Sequence, residues 1–429
     1  MEQSDHTTNL TFIHTADLHL GSPFSGIARM DADVAAQLSR AGYDAYERII
    51  ACAIEQAVDF VVIAGDIYES ANQRIAEQLR FHAGLERLAA AGIAVYICCG
   101  NHDPARGWSQ EIVWPDLVHF FSSKTPDVVW HERDGVPVAA IVGMSYPKGA
   151  VTENLALRYP DRAEDWPCTI GLLHCTIGTN TGHDPYAPCS LTDLTEKGYD
   201  YWALGHIHKP AVLQEESPAI VYAGIPQGRD IGEAGPRGCY LVTVDRGADV
   251  QMEFIETASV VWQEATVSID GIGTPDELRR EIETRVEEIR RDNTADVVIC
   301  RITLAGRGEV HRDLAQEGAL QDLSDYFREQ ETGVENAVYI ERFIDRTVLP
   351  IDREAVMQRG DLVADVLAIS EQMQQTGEMD KALAEELGGL FEKYRRKGVL
   401  NEISGDELSA LIREAETYLL DHLLPGDSA

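Results

Sequence analysis

Gly100-Asn101-His102-Asp103, following the apolar run Ile93-Ala94-Val95-Tyr96-Ile97, is the stretch whose reading decides the fold. An apolar run that stops at glycine and three polar residues reads as a buried strand ending in a sharp turn. The same punctuation recurs on both sides. Upstream, Phe12-Ile13 leads to Asp17-Leu18-His19, and Phe60-Val61-Val62-Ile63-Ala64 leads to Gly65-Asp66. Downstream, Ile170-Gly171-Leu172-Leu173 leads to His174, and Tyr201-Trp202-Ala203-Leu204 leads to Gly205-His206-Ile207-His208. Five strand-like runs therefore end in Asp, Asn or His. An α/β sheet gathers ligands outside the carboxyl ends of its strands, so these side chains are expected in one place. Carboxylate, imidazole and one amide oxygen suit a borderline divalent metal such as manganese or iron. They suit an all-oxygen calcium or magnesium cage poorly.

The chain has 429 residues, 44% of them hydrophobic, which is material for two or three domains with real cores. No apolar run approaches the ~20 residues that cross a bilayer, so no membrane partner is expected. Met1-Glu2-Gln3-Ser4-Asp5-His6 is polar and acidic, unlike a secretory leader, and a cytoplasmic location is expected. The eight cysteines form no C-x-x-C pair, so reduced, buried thiols are expected. The formal net charge is −36. Such a chain repels a polyanion at long range, whereas nucleic-acid binders usually carry a basic patch. Bound divalent cations reverse the field locally, and a partner subunit can supply basic surface. There is no G-x-x-x-x-G-K-[ST] phosphate loop, so any use of ATP would have to come from a partner.

Helices are predicted over 37–58, with Leu38, Tyr46, Ile49, Ile50 and Ile54 near one face, and over 75–91. Residues 104–135, rich in Pro, Trp and Ser, read as a loop excursion. Residues 1–255 form the first predicted domain. Beyond it, Thr274-Pro275-Asp276-Glu277 is a capping box that opens a helix with Leu278, Ile282, Val286 and Ile289 inward. Strands over 297–304 and 337–341 complete a small α+β domain, 256–348. Residues 349–429 read as helical. One stripe carries Leu362, Val366, Ile369 and Met373, and another Leu383, Leu387, Leu390, Phe391 and Tyr394. A second capping box at 404–407 precedes Leu408, Leu411, Ile412, Ala415, Tyr418 and Leu419. These stripes fit either a small bundle or a docking surface for a partner helix. The basic cluster at 393–397 reads as a solvated helix end or a phosphate contact.

Taken in order, D-x-H, G-D, G-N-H-D, H and G-H-x-H resemble the calcineurin-like metallophosphoesterase superfamily. The stretch from His14 to Phe24, His183-Asp184-Pro185-Tyr186-Ala187-Pro188, the run from Lys197 to Lys209, Tyr222-Ala223-Gly224-Ile225-Pro226-Gln227-Gly228-Arg229 and Gly238-Cys239-Tyr240-Leu241-Val242 narrow it. They are similar to the SbcD/YhaO-type DNA repair exonucleases, bacterial relatives of the nuclease subunit of the double-strand-break repair complex. The resemblance covers residues 11–245. It implies an α/β fold, a four-layer metallophosphoesterase β-sandwich flanked by helices. It also implies a small α+β capping domain that helps select DNA, and a helical C-terminal tail that binds a coiled-coil ATPase subunit of the SbcC/YhaN kind. Family members commonly form homodimers.

The resemblance further implies two divalent metal ions, Mn2+ first and Fe second. Asp17, His19 and His208 would hold one, Asn101, His174 and His206 the other, and Asp66 would bridge them. Two such ions ~3.5–4 Å apart supply a hydroxide nucleophile and offset charge developing on phosphorus. His102 would not be a ligand. Asp103 would orient it, so that it stabilises the phosphoryl oxygen or protonates the leaving 3′-oxygen. His14 reads as a structural group behind the ligands, and His183 as a loop residue or a substrate contact. One departure stands out. Many relatives place a histidine three residues after the bridging Asp, linked to DNA positioning, where this chain has Glu69. A carboxylate there is expected to repel a scissile phosphate. The expected function is two-metal hydrolysis of DNA phosphodiester bonds, as an exonuclease or endonuclease in DNA repair. The alternatives are a phosphodiesterase of nucleotides or other small phosphate esters, and a non-catalytic scaffold with a structural metal site. The His102-Asp103 pair argues against the scaffold.

Overall fold

The computed structural model describes residues 9–22, 32–69, 75–104, 112–178, 185–245, 249–351, 353–376, 415, 416, 418–420 and 423. Two six-stranded sheets dominate it. The first has the order β12 (Val250–Glu256), β11 (Gly238–Val244), β1 (Leu10–Thr15), β2 (Phe60–Ala64), β3 (Ala94–Cys98) and β4 (Val118–Phe120). The second has the order β5 (Asp127–Arg133), β6 (Val136–Gly143), β7 (Cys168–His174), β8 (Tyr201–Gly205), β10 (Ala219–Tyr222) and β9 (Ala211–Gln214). β1 to β4 run parallel in one sheet, and β6, β7, β8 and β10 run parallel in the other. Parallel neighbours deliver their carboxyl ends to one edge, which is what the five motifs require.

Side chains alternate across a strand, and each face of these strands has its own core. Phe12, Phe60, Val62 and Tyr96 meet Ile141, Ile170, Leu172, Tyr201 and Val221 between the sheets. The opposite face of the first sheet, with Ile13, Val61, Ile63, Val95 and Ile97, packs against α1 (Ala32–Glu55) and α2 (Ile75–Ala90) through Tyr46, Ile49, Phe81 and Leu85. The opposite face of the second sheet, with Val142, Leu173, Trp202 and Ile220, meets Tyr146, Tyr159 and Leu194 of α3 (Leu191–Thr195). Helix, sheet, sheet and helix make the four layers. Both faces of the central strands are covered, so their sequences are continuous apolar runs. The stretch 104–135 is not all loop, because β4 and β5 lie within it. These are edge strands that bury no continuous run, and Trp130 of β5 is exposed, so the apolar pattern of a strand is missing.

The third sheet has the order β13 (Val260–Ser268), β14 (Val297–Arg307) and β15 (Ala337–Val348). With it come α4 (Pro275–Asp292), α5 (His311–Leu314) and α6 (Ala319–Gln330). The capping box is reciprocal. Thr274 N donates to Glu277 Oε2 at 3.0 Å, and Glu277 N donates to Thr274 Oγ1 at 3.3 Å. Leu278, Ile282, Val286 and Ile289 are buried as their spacing predicts.

The chain divides into two compact units, one of residues 1–265, 284–302 and 321–343, the other of 266–283, 303–320 and 344–429. Within the first, Leu38 and Ala41 of α1 pack against Val260, Trp262, Val297, Ile299 and Tyr339. Within the second, α7 (Arg353–Met357) and α8 (Leu362–Thr376) join Val356, Val363 and Leu367 to Leu420. The buried Glu416 carboxylate takes Arg353 and Ser370. The buried stripe of α8 is Val363, Leu367 and Ser370, whereas Leu362 and Ile369 of the expected stripe are exposed. Apolar residues lie on two faces of α8, and periodicity alone does not choose between them. The stripe from Leu383 to Tyr394, the second capping box, Leu408, Leu411, Ile412 and the basic cluster lie outside the described residues. All eight cysteines are free thiols. No described helix is long and apolar enough to cross a membrane.

Phe12 stacks on Phe60 at 5.1 Å and meets the edge of Tyr201 at 5.3 Å, in the layer that joins the two sheets. Phe12→Ala should lower stability by about 3–5 kcal/mol with an unchanged denaturant slope. Urea unfolding checks this, and a loss below about 1 kcal/mol would show that the inter-sheet layer collapses around the gap.

Candidate metal centre

The strand ends of β1, β2, β3, β7 and β8 converge. The loop after β1 lies alongside the loop after β2, with Asp17 N donating to Gly65 O, His19 N to Asp66 O and Leu20 N to Ile67 O at 2.8–3.0 Å. This zipper continues the parallel pairing beyond the strands. It also holds Asp17 (φ 50°), His19 (φ 43°) and Asp66 (φ 47°) in left-handed backbone, and His206 has φ 95°. Such conformations cost about 1–3 kcal/mol each and persist where the surroundings over-determine them. Two glycines are required by close approach. A Cβ on Gly65 would lie 2.2 Å from His174 Nδ1, and one on Gly100 would lie 2.2 Å from Asp66 Oδ1.

The side chains form two groups at the strand ends, and a third, of His19, Glu69 and His102, shares His19 with the first. Asp17, His19 and His208 offer donor atoms within 4.8 Å of one another, and so do Asp66, His174 and His206. His19 Nε2 and His208 Nε2 face each other at 3.1 Å. Asn101 Oδ1 lies 2.9 Å from His174 Nε2. One oxygen, Asp66 Oδ2, lies 3.3 Å from His174 Nε2 and 4.0 Å from His19 Nε2, between the groups. The donor set is carboxylate oxygen, amide oxygen and imidazole nitrogen, which suits a pair of borderline divalent cations. The rings are oriented from behind, as imidazoles that bind metals usually are. His174 Nδ1 donates to Ala64 O at 3.0 Å, and His208 Nδ1 donates to Glu233 Oε1 at 2.6 Å.

Burial works against ionisation of Asp17 and His19. It pushes the Asp17 carboxyl up and the His19 imidazole down. Burial also opposes charge on Asp66, but His174 and His19 beside it hold that carboxyl well below the usual range. His174 is shifted up despite its burial, because Asp66 lies against it.

His102 sits on the rim, its backbone N–H donating to Asp66 Oδ1 at 2.9 Å. Its ring donates from Nδ1 to the Glu69 carbonyl at 2.7 Å. Asp103 has a different part from the one expected. Its buried carboxylate accepts from Gly100 N at 3.0 Å and Ile67 N at 2.8 Å, so it fastens the turn after β3 to the loop after β2. The orienting contact on His102 comes from Glu69 O instead. The Glu69 carboxylate also belongs to the centre. Its Oε2 lies 3.0 Å from His19 Nδ1 and accepts from Arg229 Nη1 at 2.7 Å. Burial opposes its charge, yet His19 and Arg229 hold Glu69 down to about 2. His14 is a core residue of β1, its Nδ1 2.9 Å from the Tyr201 hydroxyl. His183 lies outside the described residues.

Sequence reasoning missed Glu233 and Arg237. Arg237 Nη1 donates to His208 O at 2.8 Å and Nε to Glu233 O at 2.9 Å. The only signal was their place between two stretches noted for their resemblance, 222–229 and 238–242, with Glu233 four residues after Arg229.

A family model described as calcineurin-like phosphoesterase matches residues 10–210, and one described as metallophosphoesterase YhaO, middle domain, matches residues 262–348. The metallophosphoesterase YhaO of Bacillus subtilis is 39% identical over 340 residues, covering 79% of this chain and 82% of that protein. The DNA double-strand break repair protein Mre11 of Methanopyrus kandleri is 27% identical over 387 residues, covering 81% and 75%. That of Haloferax volcanii is 26% identical over 315 residues, covering 72% and 65%.

If both groups draw on this carboxylate, Asp66→Asn should lower the divalent-metal content of both, measured by metal analysis after manganese loading and gel filtration. Gly100→Ala removes no donor, yet its Cβ would displace Asp66 Oδ1 and should also lower metal content. Full occupancy in both variants would mean that Asp66 is not shared.

Proposed function

This chain belongs to the calcineurin-like phosphoesterase family, and from that premise we propose that it is a two-metal phosphodiesterase acting on DNA. The observation that carries the reading is Asp66 Oδ2, 3.3 Å from one imidazole nitrogen of one group and 4.0 Å from one of the other. Asp17, His19 and His208 hold one cation in this reading, Asn101, His174 and His206 the second, and Asp66 both. Manganese is the proposed metal and iron the next candidate. Two divalent cations, when bound, supply an activated water and offset charge developing on phosphorus. His102 has its Nδ1 proton committed to Glu69 O, which leaves Nε2 to hold a proton for the leaving 3′-oxygen. Its backbone N–H fixes one oxygen of Asp66 and keeps the carboxylate turned.

DNA as substrate is supported by the similarity to the Mre11 proteins, named for double-strand break repair. It brings with it a cytoplasmic location, homodimerisation and a role as the nuclease subunit beside a coiled-coil ATPase. The exposed Leu362, Ile369, Tyr418 and Leu419 support a docking role for the C-terminal helices. A second reading, hydrolysis of small phosphate esters, draws on the net charge of −36.

Manganese-dependent cleavage of linear duplex DNA should be readily detected, alongside turnover of bis-(p-nitrophenyl) phosphate. Turnover of the small ester with intact DNA would select the second reading. His102→Ala should keep its metals and lose about 10²–10⁴-fold in rate. Loss of metal in that variant would make His102 a ligand. A chain ending at Pro350 should still cleave the small ester but no longer co-purify with a co-expressed coiled-coil ATPase. Retained co-purification would move the contact elsewhere.

A further inference from the structure

Arg229 sits behind the Asp17, His19 and His208 group and joins two carboxylates. Nη1 donates to Glu69 Oε2 at 2.7 Å, and Nη2 donates to Glu233 Oε1 at 2.9 Å. Each carboxylate touches the outer nitrogen of a different imidazole. Glu233 Oε1 accepts from His208 Nδ1 at 2.6 Å, and Glu69 Oε2 lies 3.0 Å from His19 Nδ1. The first is an aligned hydrogen bond. The second is a close electrostatic contact off the ring's hydrogen-bonding direction. The inner nitrogens of the same two rings, His19 Nε2 and His208 Nε2, are the pair that face each other at 3.1 Å.

The guanidinium is itself held in place. Arg229 N donates to Glu233 Oε2 at 2.7 Å, and Nη1 lies within 3.3 Å of Ser22 Oγ. The stretch that carries it is tied to β13. Gln227 Oε1 accepts from Ser259 N and Val260 N at 3.0 and 3.2 Å, and Trp262 Nε1 donates to Gly228 O at 3.2 Å. The planar fork of an arginine can hold two carboxylates at a fixed separation, which a lysine cannot. Behind His174, among the described residues, Nδ1 donates to the Ala64 carbonyl at 3.0 Å with Asp17 Oδ1 3.7 Å away, and no arginine bridges carboxylates there.

We propose that Arg229 is a positioning residue for one metal position only, setting the spacing of His19 and His208 by clamping Glu69 and Glu233. This rests on the two-metal reading of the centre. It assigns Glu69 a use in this chain, since the carboxylate takes one arm of the clamp. It also makes the two positions unequal. One depends on the arginine-bridged pair of carboxylates, whereas His174 of the other is held by the Ala64 carbonyl.

The test is manganese titration of the full chain, followed by calorimetry and by electron paramagnetic resonance, with the melting temperature of the metal-free protein as control. Wild type should take two ions and give the spectrum of a coupled pair. Arg229→Gln should melt like wild type without metal, bind one ion normally and lose about 10–100-fold in affinity for the other. At limiting metal it should show an isolated ion instead of a pair. Arg229→Lys, which can reach one carboxylate, should fall between. Should Arg229→Gln not fold, Glu233→Gln neutralises the carboxylate that Arg229 Nη2 and His208 Nδ1 share, with its shape kept, and should weaken the same ion. Wild-type affinity for both ions in the variants, or equal weakening of both, overturns the proposal. A wild-type protein that binds no ion overturns the two-metal reading, and the clamp with it.

Discussion

Asp66 is the group through which the rest of the centre connects. Oδ1 accepts the His102 backbone N–H, Oδ2 lies between His174 and His19, and its carbonyl accepts the His19 N–H. The ends of β1, β3 and β7 are thus referred to one residue at the end of β2. That requires φ of 47° at Asp66 and leaves no room for a side chain at position 100. Left-handed backbone at four non-glycine residues of the centre costs on the order of 1–3 kcal/mol each. The cost is tolerable because the strands beneath are buried on both faces, in three cores that share the same backbone. Relaxing one turn would break the zipper between the loops after β1 and β2.

The burial that secures the turns also sets the chemistry. Carboxylates taken out of water are unstable as ions unless a positive charge or several donors meet them. Asp17 accepts His206 N with both oxygens at 3.0 Å, yet its carboxyl is still pushed up by burial. Burial opposes charge on Asp66, but His174 and His19 beside it hold its carboxyl below the usual range, and the His102 N–H donates to it. Divalent cations are the partners that satisfy carboxylate, amide and imidazole together, which is why the donor set fits a metal pair better than a hydrogen-bonded cluster.

Much of this was legible in the chain. Buried parallel strands are continuous apolar runs, and the residue that ends each run is marked by its polarity, so Asp17, Asp66, Asn101, His174 and His206 announced themselves by position. The four layers were implied by the family resemblance that those runs and their end residues carry. What was not legible depends on separations that no spacing encodes. Glu69 and Arg229 are 160 residues apart in sequence and 2.7 Å apart in the fold. Asp103 was expected to serve its neighbour His102, but adjacent residues in a tight turn point in different directions, and Asp103 turns inward to Gly100 and Ile67. β4 and β5 were hidden because an edge strand needs no apolar run. The stripe on α8 was misjudged because two apolar faces compete and only packing decides between them.

The same distinction governs charge. A net charge of −36 describes the field far from the surface, and at physiological salt that field fades over about 8 Å. Within the centre the outcome depends on which charges are paired. Read alone, Glu69 adds a negative charge where a phosphate should sit. In the fold, its carboxylate is turned to His19 and Arg229, and the same guanidinium also meets Glu233. The guanidinium therefore offsets part of the repulsion expected from the sequence, one positive charge between two carboxylates. The feature that separates this chain from relatives with histidine at that position becomes one of support for the ligands. A carboxylate can lie beside the His19 imidazole at this position because the Arg229 guanidinium opposite shares its charge.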